Sequence, residues 1–77
     1  MTYTKLDSTG KICYVWGSNT DGSNPFNIIG GTQLNTEHYL GNSDITTVYL
    51  LDSPTEYKIE QRAFQNCANL QIIKTVD

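Results

Sequence analysis

The chain has 77 residues and a net charge of −3, which bounds it to one small domain with a modest core. Its five cations, Lys5, Lys11, Lys58, Arg62 and Lys74, are scattered, so neither a nucleic-acid nor an anionic-lipid surface is expected. No apolar run is long enough to span a membrane as a helix, and no apolar signal core follows Met1.

Residues 10–16 read as a strand. Ile12, Tyr14 and Trp16 alternate with Lys11, Cys13 and Val15, and the residue types favour β-structure. Gly17 ends the run, and residues 18–25 supply one turn former after another. A second short apolar run, Phe26, Ile28 and Ile29, closes at Gly30 and Gly31. Together these predict an irregular β-hairpin with a long tip. Two cysteines, Cys13 and Cys67, do not make a disulfide framework. They could pair if the fold joined them, but two buried free thiols are the favoured expectation.

From Thr32 the pattern changes. An offset of 25 residues superposes residues 34–51 on residues 59–76. Leu34 then meets Ile59, Tyr39 meets Phe64, Ile45 meets Leu70, Val48 meets Ile73 and Leu51 meets Val76. Each pair keeps an apolar or aromatic type, as stacked repeats require. The mismatches, His38 with Ala63, Leu40 with Gln65, Asn42 with Cys67 and Leu50 with Thr75, make the first copy degenerate, like a capping repeat. Each copy predicts a turn or short helical segment, a corner, and a strand, at residues 45–51 and 70–76. Asp44 and Asn69 precede the strands, where a short polar side chain can hold a corner. Residues 52–57, with Pro54, form the return loop.

The second copy resembles the repeat of the BspA-like leucine-rich proteins. Ile59, Ala63, Phe64, Cys67, Leu70 and Ile73 fall at the six spaced positions of that repeat. The resemblance covers one repeat well and a second loosely, roughly half of the chain, and excludes the first thirty residues. It implies a secreted or cell-surface solenoid that binds proteins and is not an enzyme. It makes Ala63, Phe64, Cys67, Leu70 and Ile73 core scaffold, and Thr46, Thr47, Tyr49, Gln71 and Lys74 solvent-facing strand positions. The family carries many repeats and this sequence under two. A fragment, or a subunit that docks on something, is therefore the expectation, because an open apolar edge after the last strand is an aggregation hazard.

Catalytic and metal chemistry finds little support. His38 has only Glu37 beside it and no second ligand at metal spacing. Asn19, Asp21 and Gly22 resemble a calcium loop only faintly, since Gly17 and Ile28 stand where acidic ligands are needed. Cys13 or Cys67 with His38 is the one conceivable nucleophile pair, and it lacks an orienting third group. Tyr14 and Trp16 share a strand face, where they either form the hairpin's own core or anchor a contact.

The sequence thus predicts a mainly β protein with short helical turns. Residues 1–31 form an N-terminal β-hairpin-like cap or anchor, and residues 32–77 form two units of a leucine-rich-repeat solenoid. The expected function is non-catalytic protein binding in a surface or adhesion protein, through Thr47, Tyr49, Gln71, Lys74 and Trp16. The alternative is a small structural subunit of a virion or appendage, which makes a homo-oligomer a candidate state. No cofactor or metal is expected. The partner is a protein or further repeats of the same chain.

Overall fold

The computed structural model describes residues 2–17, 26–51 and 62–76. Among them five strands form one mixed sheet: β1 (Tyr3–Leu6), β2 (Ile12–Trp16), β3 (Thr32–Gln33), β4 (Thr47–Leu51) and β5 (Ile72–Val76). Their spatial order is β3-β1-β2-β4-β5. The chain is mainly β, as expected. The predicted tip at residues 18–25, the return loop at 52–57 and Ile59 lie outside the described residues.

The N-terminal hairpin is closed by a different strand from the one predicted. β2 pairs antiparallel with β1, from Tyr3 opposite Trp16 to Leu6 opposite Cys13, and not with residues 26–29. The cause is local. Asp7 to Gly10 is a turn: the Gly10 N–H bonds Asp7 O, and the Asp7 N–H bonds Ile12 O. Gly10 sits at φ 75°, the left-handed region that glycine enters without a Cβ clash. The Asp7 carboxylate accepts from the Thr9 hydroxyl at 2.7 Å and from the Ile12 N–H at 3.2 Å. Bonding from Thr9 first, and then from backbone N–H groups, holds that carboxyl below the ordinary range.

β2, β4 and β5 run parallel. Cys13, Val48 and Ile73 share one rung, and Tyr14, Tyr49 and Lys74 the next. The β4–β5 register is an offset of 25 residues throughout, from Thr47 opposite Ile72 to Leu51 opposite Val76. Two bonds of the preceding turns repeat the same offset. Leu40 N–H to Glu37 O matches Gln65 N–H to Arg62 O, and Asn42 N–H to Tyr39 O matches Cys67 N–H to Phe64 O. Gly41 and Asn66, equivalent under that offset, are both left-handed, at φ 74° and 61°.

These turns correct the prediction of short helical segments, since the described residues contain no helix. Left-handed residues at Glu37, Gly41 and Asn66 interrupt each i→i+3 run before a second helical turn can form. Both strands also start two residues later than predicted. The N–H groups of Thr46 and Thr47 share Lys11 O, and those of Gln71 and Ile72 share Thr46 O. The ladder proper begins only after this shared entry, while Ile45 turns inward at the corner. Asn42, and not Asp44, holds that corner, with its Oδ1 accepting from Asp44 and Ile45 N–H. Asn69 reaches across to Ser43 O at 2.7 Å.

The turn layer covers one face of the sheet. Cys13, Val15, Leu34, Tyr39, Ile45, Val48 and Ala63 form the buried cluster, with Leu6, Leu50, Phe64, Cys67 and Leu70 packed against it. Removing each such aliphatic side chain from water contributes about 1.5–3 kcal/mol. Ile73 was expected in this core and is not part of it. Along its rung, exposure runs from 0% at Cys13 and 1% at Val48 to 61% at Ile73, because no described strand lies beyond β5.

A polar bond is buried inside this layer. The Thr4 hydroxyl donates its one proton to Tyr14 O at 2.9 Å. It therefore accepts from the Tyr39 hydroxyl at 2.9 Å and from the Cys13 thiol at 3.3 Å. On the opposite face the Trp16 indole packs near the Tyr3 ring, with centroids 6.3 Å apart, and against Gly31. A Cβ on Gly31 would lie 2.3 Å from Trp16 Cη2, so only glycine fits there.

The two glycines make a graded stability test. Gly31→Ala is expected to destabilise the chain by about 1–3 kcal/mol through overpacking on a buried indole. Gly41→Ala, whose Cβ would meet open space, costs only its left-handed backbone, about 1 kcal/mol. Urea unfolding followed by Trp16 fluorescence ranks the two. The reverse order would show that the indole yields freely.

Candidate functional site

Pleating sends alternate strand residues to opposite faces. On the face opposite the turn layer, Tyr14, Tyr49 and Lys74 form one rung and Ile12, Thr47 and Ile72 another. The rings of Tyr14 and Tyr49 stack at 6.0 Å with planes 17° apart. Phe26 meets both edge-on, at 5.8 Å from Tyr14 and 5.3 Å from Tyr49. Such pairs stabilise by about 0.5–1.5 kcal/mol beyond their buried area, so the cluster is rigid before anything binds. Partial burial first, then the Asp7 carboxylate and Tyr49, raises the Tyr14 hydroxyl above its ordinary range, and it stays a neutral donor.

Three of the predicted site residues meet on this face: Thr47, Tyr49 and Lys74. Gln71 is exposed at the entry to β5, two residues before Ile73, and its N–H is spent on Thr46 O. Trp16 is a correction. It is 0% exposed, and its ring offers no surface to a partner. Its Nε1 is buried without a hydrogen-bond partner among the described residues. Sequence reasoning weighed Tyr14 as hairpin core or contact anchor and placed Phe26 only in a second apolar run of the hairpin. The alternation of Ile12, Tyr14 and Trp16 did carry a signal for the face. What was illegible was the 35-residue register that sets Tyr14 beside Tyr49, since it differs from the 25-residue repeat.

The other reactive groups are engaged in the fold. The Cys67 thiol donates to Tyr39 O at 3.2 Å, and Cys13 meets Thr4. Both cysteines are free thiols. His38 Nδ1 accepts from the Asn35 N–H at 3.2 Å, and its ring lies 4.6 Å from that of Tyr39. A cleft of about 470 Å³ is lined by Lys5, Leu6, Asp7, Ser8, Tyr14 and Ile28. Its charged groups are already committed, Lys5 Nζ to Ile29 O at 2.9 Å and Asp7 to the hairpin turn. The described residues contain no cluster of metal-ligating side chains, nor a helix long and apolar enough to cross a membrane. Comparison with family models, curated proteins and solved structures finds no match.

Burial pushes the Cys13 thiol up to about 11. Burial likewise raises the Tyr39 hydroxyl. The folded chain therefore holds a proton that the unfolded chain sheds from about pH 9 upward. Stability is complete below pH 9 and falls as pH rises toward 11, by roughly 2–3 kcal/mol from this thiol. Urea midpoints across that window are expected to drop in the native sequence and to drop less in Cys13→Ala. Equal slopes would remove the thiol from the account.

Proposed function

We propose that this chain is a non-catalytic protein-binding module of the leucine-rich-repeat kind. In this reading its two coils are the start of a solenoid, and the β1–β2 hairpin caps one end. The support is the 25-residue offset, which the β4–β5 register, two bonds of the turns and the left-handed pair Gly41 and Asn66 share. Asn69 and Cys67 add to it, because both donate from the second coil to carbonyls of the first. The BspA-like resemblance of residues 59–73 carries the surface or adhesion setting.

The binding face is the row of Tyr14, Tyr49 and Lys74, with Phe26 at its border and Thr47 beside it. The single observation that carries this assignment is the prepacked aromatic cluster on the sheet face that the turn layer leaves uncovered. Rigid tyrosine rings are among the side chains enriched in protein-binding hot spots. A second reading, a structural subunit of a larger assembly, draws on the open β5 edge and its exposed Ile72 and Ile73.

A photoreactive benzoylphenylalanine at Thr47 is expected to capture a protein other than this chain. The same probe at Gln65, on the turn layer, is not. Tyr49→Ala should weaken that capture at least about ten-fold, the size of a hot-spot aromatic. Equal capture from positions 47 and 65, or capture indifferent to Tyr49, would remove the face from consideration.

A further inference from the structure

The strand registers set four residues side by side on the face opposite the turn layer. Lys5 of β1 stands opposite Tyr14 of β2, Tyr14 opposite Tyr49 of β4, and Tyr49 opposite Lys74 of β5. Directly paired residues share a face, so the row reads lysine, tyrosine, tyrosine, lysine across the strands. Both lysines are exposed. One of the three Lys5 N–H donors is spent on Ile29 O, which holds the ammonium in place and leaves two for a partner. Of the described carboxylates, Glu37 and Asp44 belong to the first turn and its corner. Asp7 lies near the β1 end of the row, where it accepts from Thr9 and Ile12. Two cations against one engaged carboxylate leave the row positive, in a chain whose net charge is −3.

We infer that the partner segment bound on this face is acidic and extended: two carboxylates four residues apart meet Lys5 and Lys74, and the residue midway between them rests on Tyr14 and Tyr49. This names the partner's chemistry for the binding face and rests on that reading. Spacing and charge select the segment together. Three strand-to-strand steps place Lys5 and Lys74 about 14 Å apart at the backbone. In an extended peptide, residues i, i+2 and i+4 line one side, and the outer two are about 13 Å apart. Both ammonium groups and the tyrosine hydroxyls donate, and carboxylates are acceptors only, so the charge-assisted bonds run one way.

The aromatic geometry disfavours a glycan or a nucleobase in the same place. Those ligands stack on an open ring face. Here Tyr14 and Tyr49 turn their faces to each other, 6.0 Å apart with planes 17° apart, and their outer neighbours in the row are the two lysines. At the β1 end, Lys5 and Tyr14 also line the cleft with Leu6 and Ile28. That end is recessed, and a charge pair there is less screened than on open surface. A further coil stacked on β5 would lengthen this face and leave the row uncovered.

An NMR titration of the 77-residue chain tests this. The probe is a short serine peptide carrying two glutamates four residues apart, with phenylalanine midway between them. Saturable shifts at Tyr14, Tyr49 and Lys74 are expected, weakened by salt and absent when glutamine replaces both glutamates. Lys74→Gln should weaken binding about five-fold, the upper range for an exposed ion pair. Lys74→Glu should come to prefer a peptide with one glutamate exchanged for lysine. Unchanged Trp16 fluorescence confirms that each variant folds. No shift at these residues up to millimolar peptide would overturn the acidic segment. So would equal binding of the glutamine peptide, indifference to Lys74, a preference for adjacent glutamates, or tighter binding of a sulfated oligosaccharide. Capture by the probe at position 47 that needs Tyr49 but not Lys74 keeps the face and removes its acidic occupant, whereas capture indifferent to Tyr49 removes both.

Discussion

Tyr39 joins the three parts of this chain, and the stacking of the rest depends on where its ring and hydroxyl sit. Its O–H reaches Thr4 of β1, whose own proton is fixed on Tyr14 O of β2. Its N–H bonds Ala63 O and its carbonyl accepts the Cys67 thiol, both from the second turn. Its ring stacks on Phe64 at 5.4 Å with planes 21° apart. One residue of the first turn thus bonds both the hairpin, through its hydroxyl, and the second turn, through its backbone. The bond to Thr4 is buried, and an unpaired hydroxyl there would cost about 1–3 kcal/mol. The network therefore specifies one packing of the turn layer on the sheet, where an all-apolar layer would tolerate several.

With Tyr39 placed, the parallel ladder follows. The turns come to the same height above the sheet, so the strands leaving them enter with the same shared carbonyl, Lys11 O for the first and Thr46 O for the second. The ion pair between Arg62 and Glu37 at 2.9 Å joins the same two coils at the surface. Exposed pairs of this kind contribute about 0–1 kcal/mol, so it follows the stacking and does not direct it. Backbone bonds, the Asn69 and Cys67 donors and the buried layer hold the coils together.

The two faces of the sheet divide the work. One is dry and covered by turns. The other carries a prepacked aromatic row ending in Lys74, with the peptide groups of the β5 edge beside it. Rigidity of the first makes the second a fixed surface, because strands held at five residues of register cannot slide to bury Tyr49 or Lys74. The binding proposal therefore depends on that scaffold.

The sequence by itself determined the β character and the 25-residue equivalence. It did so because the apolar positions of one stretch, Tyr39, Ile45, Val48 and Leu51, reappear in the other, and period and offset are properties of the chain alone. The resemblance to the leucine-rich repeat implied the outward side for Thr47, Tyr49 and Lys74. Only the tertiary structure decided that β1 closes the hairpin, that Trp16 is buried against Gly31 and Tyr3, and that Tyr14 and Phe26 complete the aromatic row. Those outcomes rest on contacts between segments with no shared pattern: a 35-residue register, a glycine whose missing Cβ admits an indole, and a threonine that accepts a tyrosine proton from 35 residues away. Such contacts depend on where the chain returns in space, which no local period encodes.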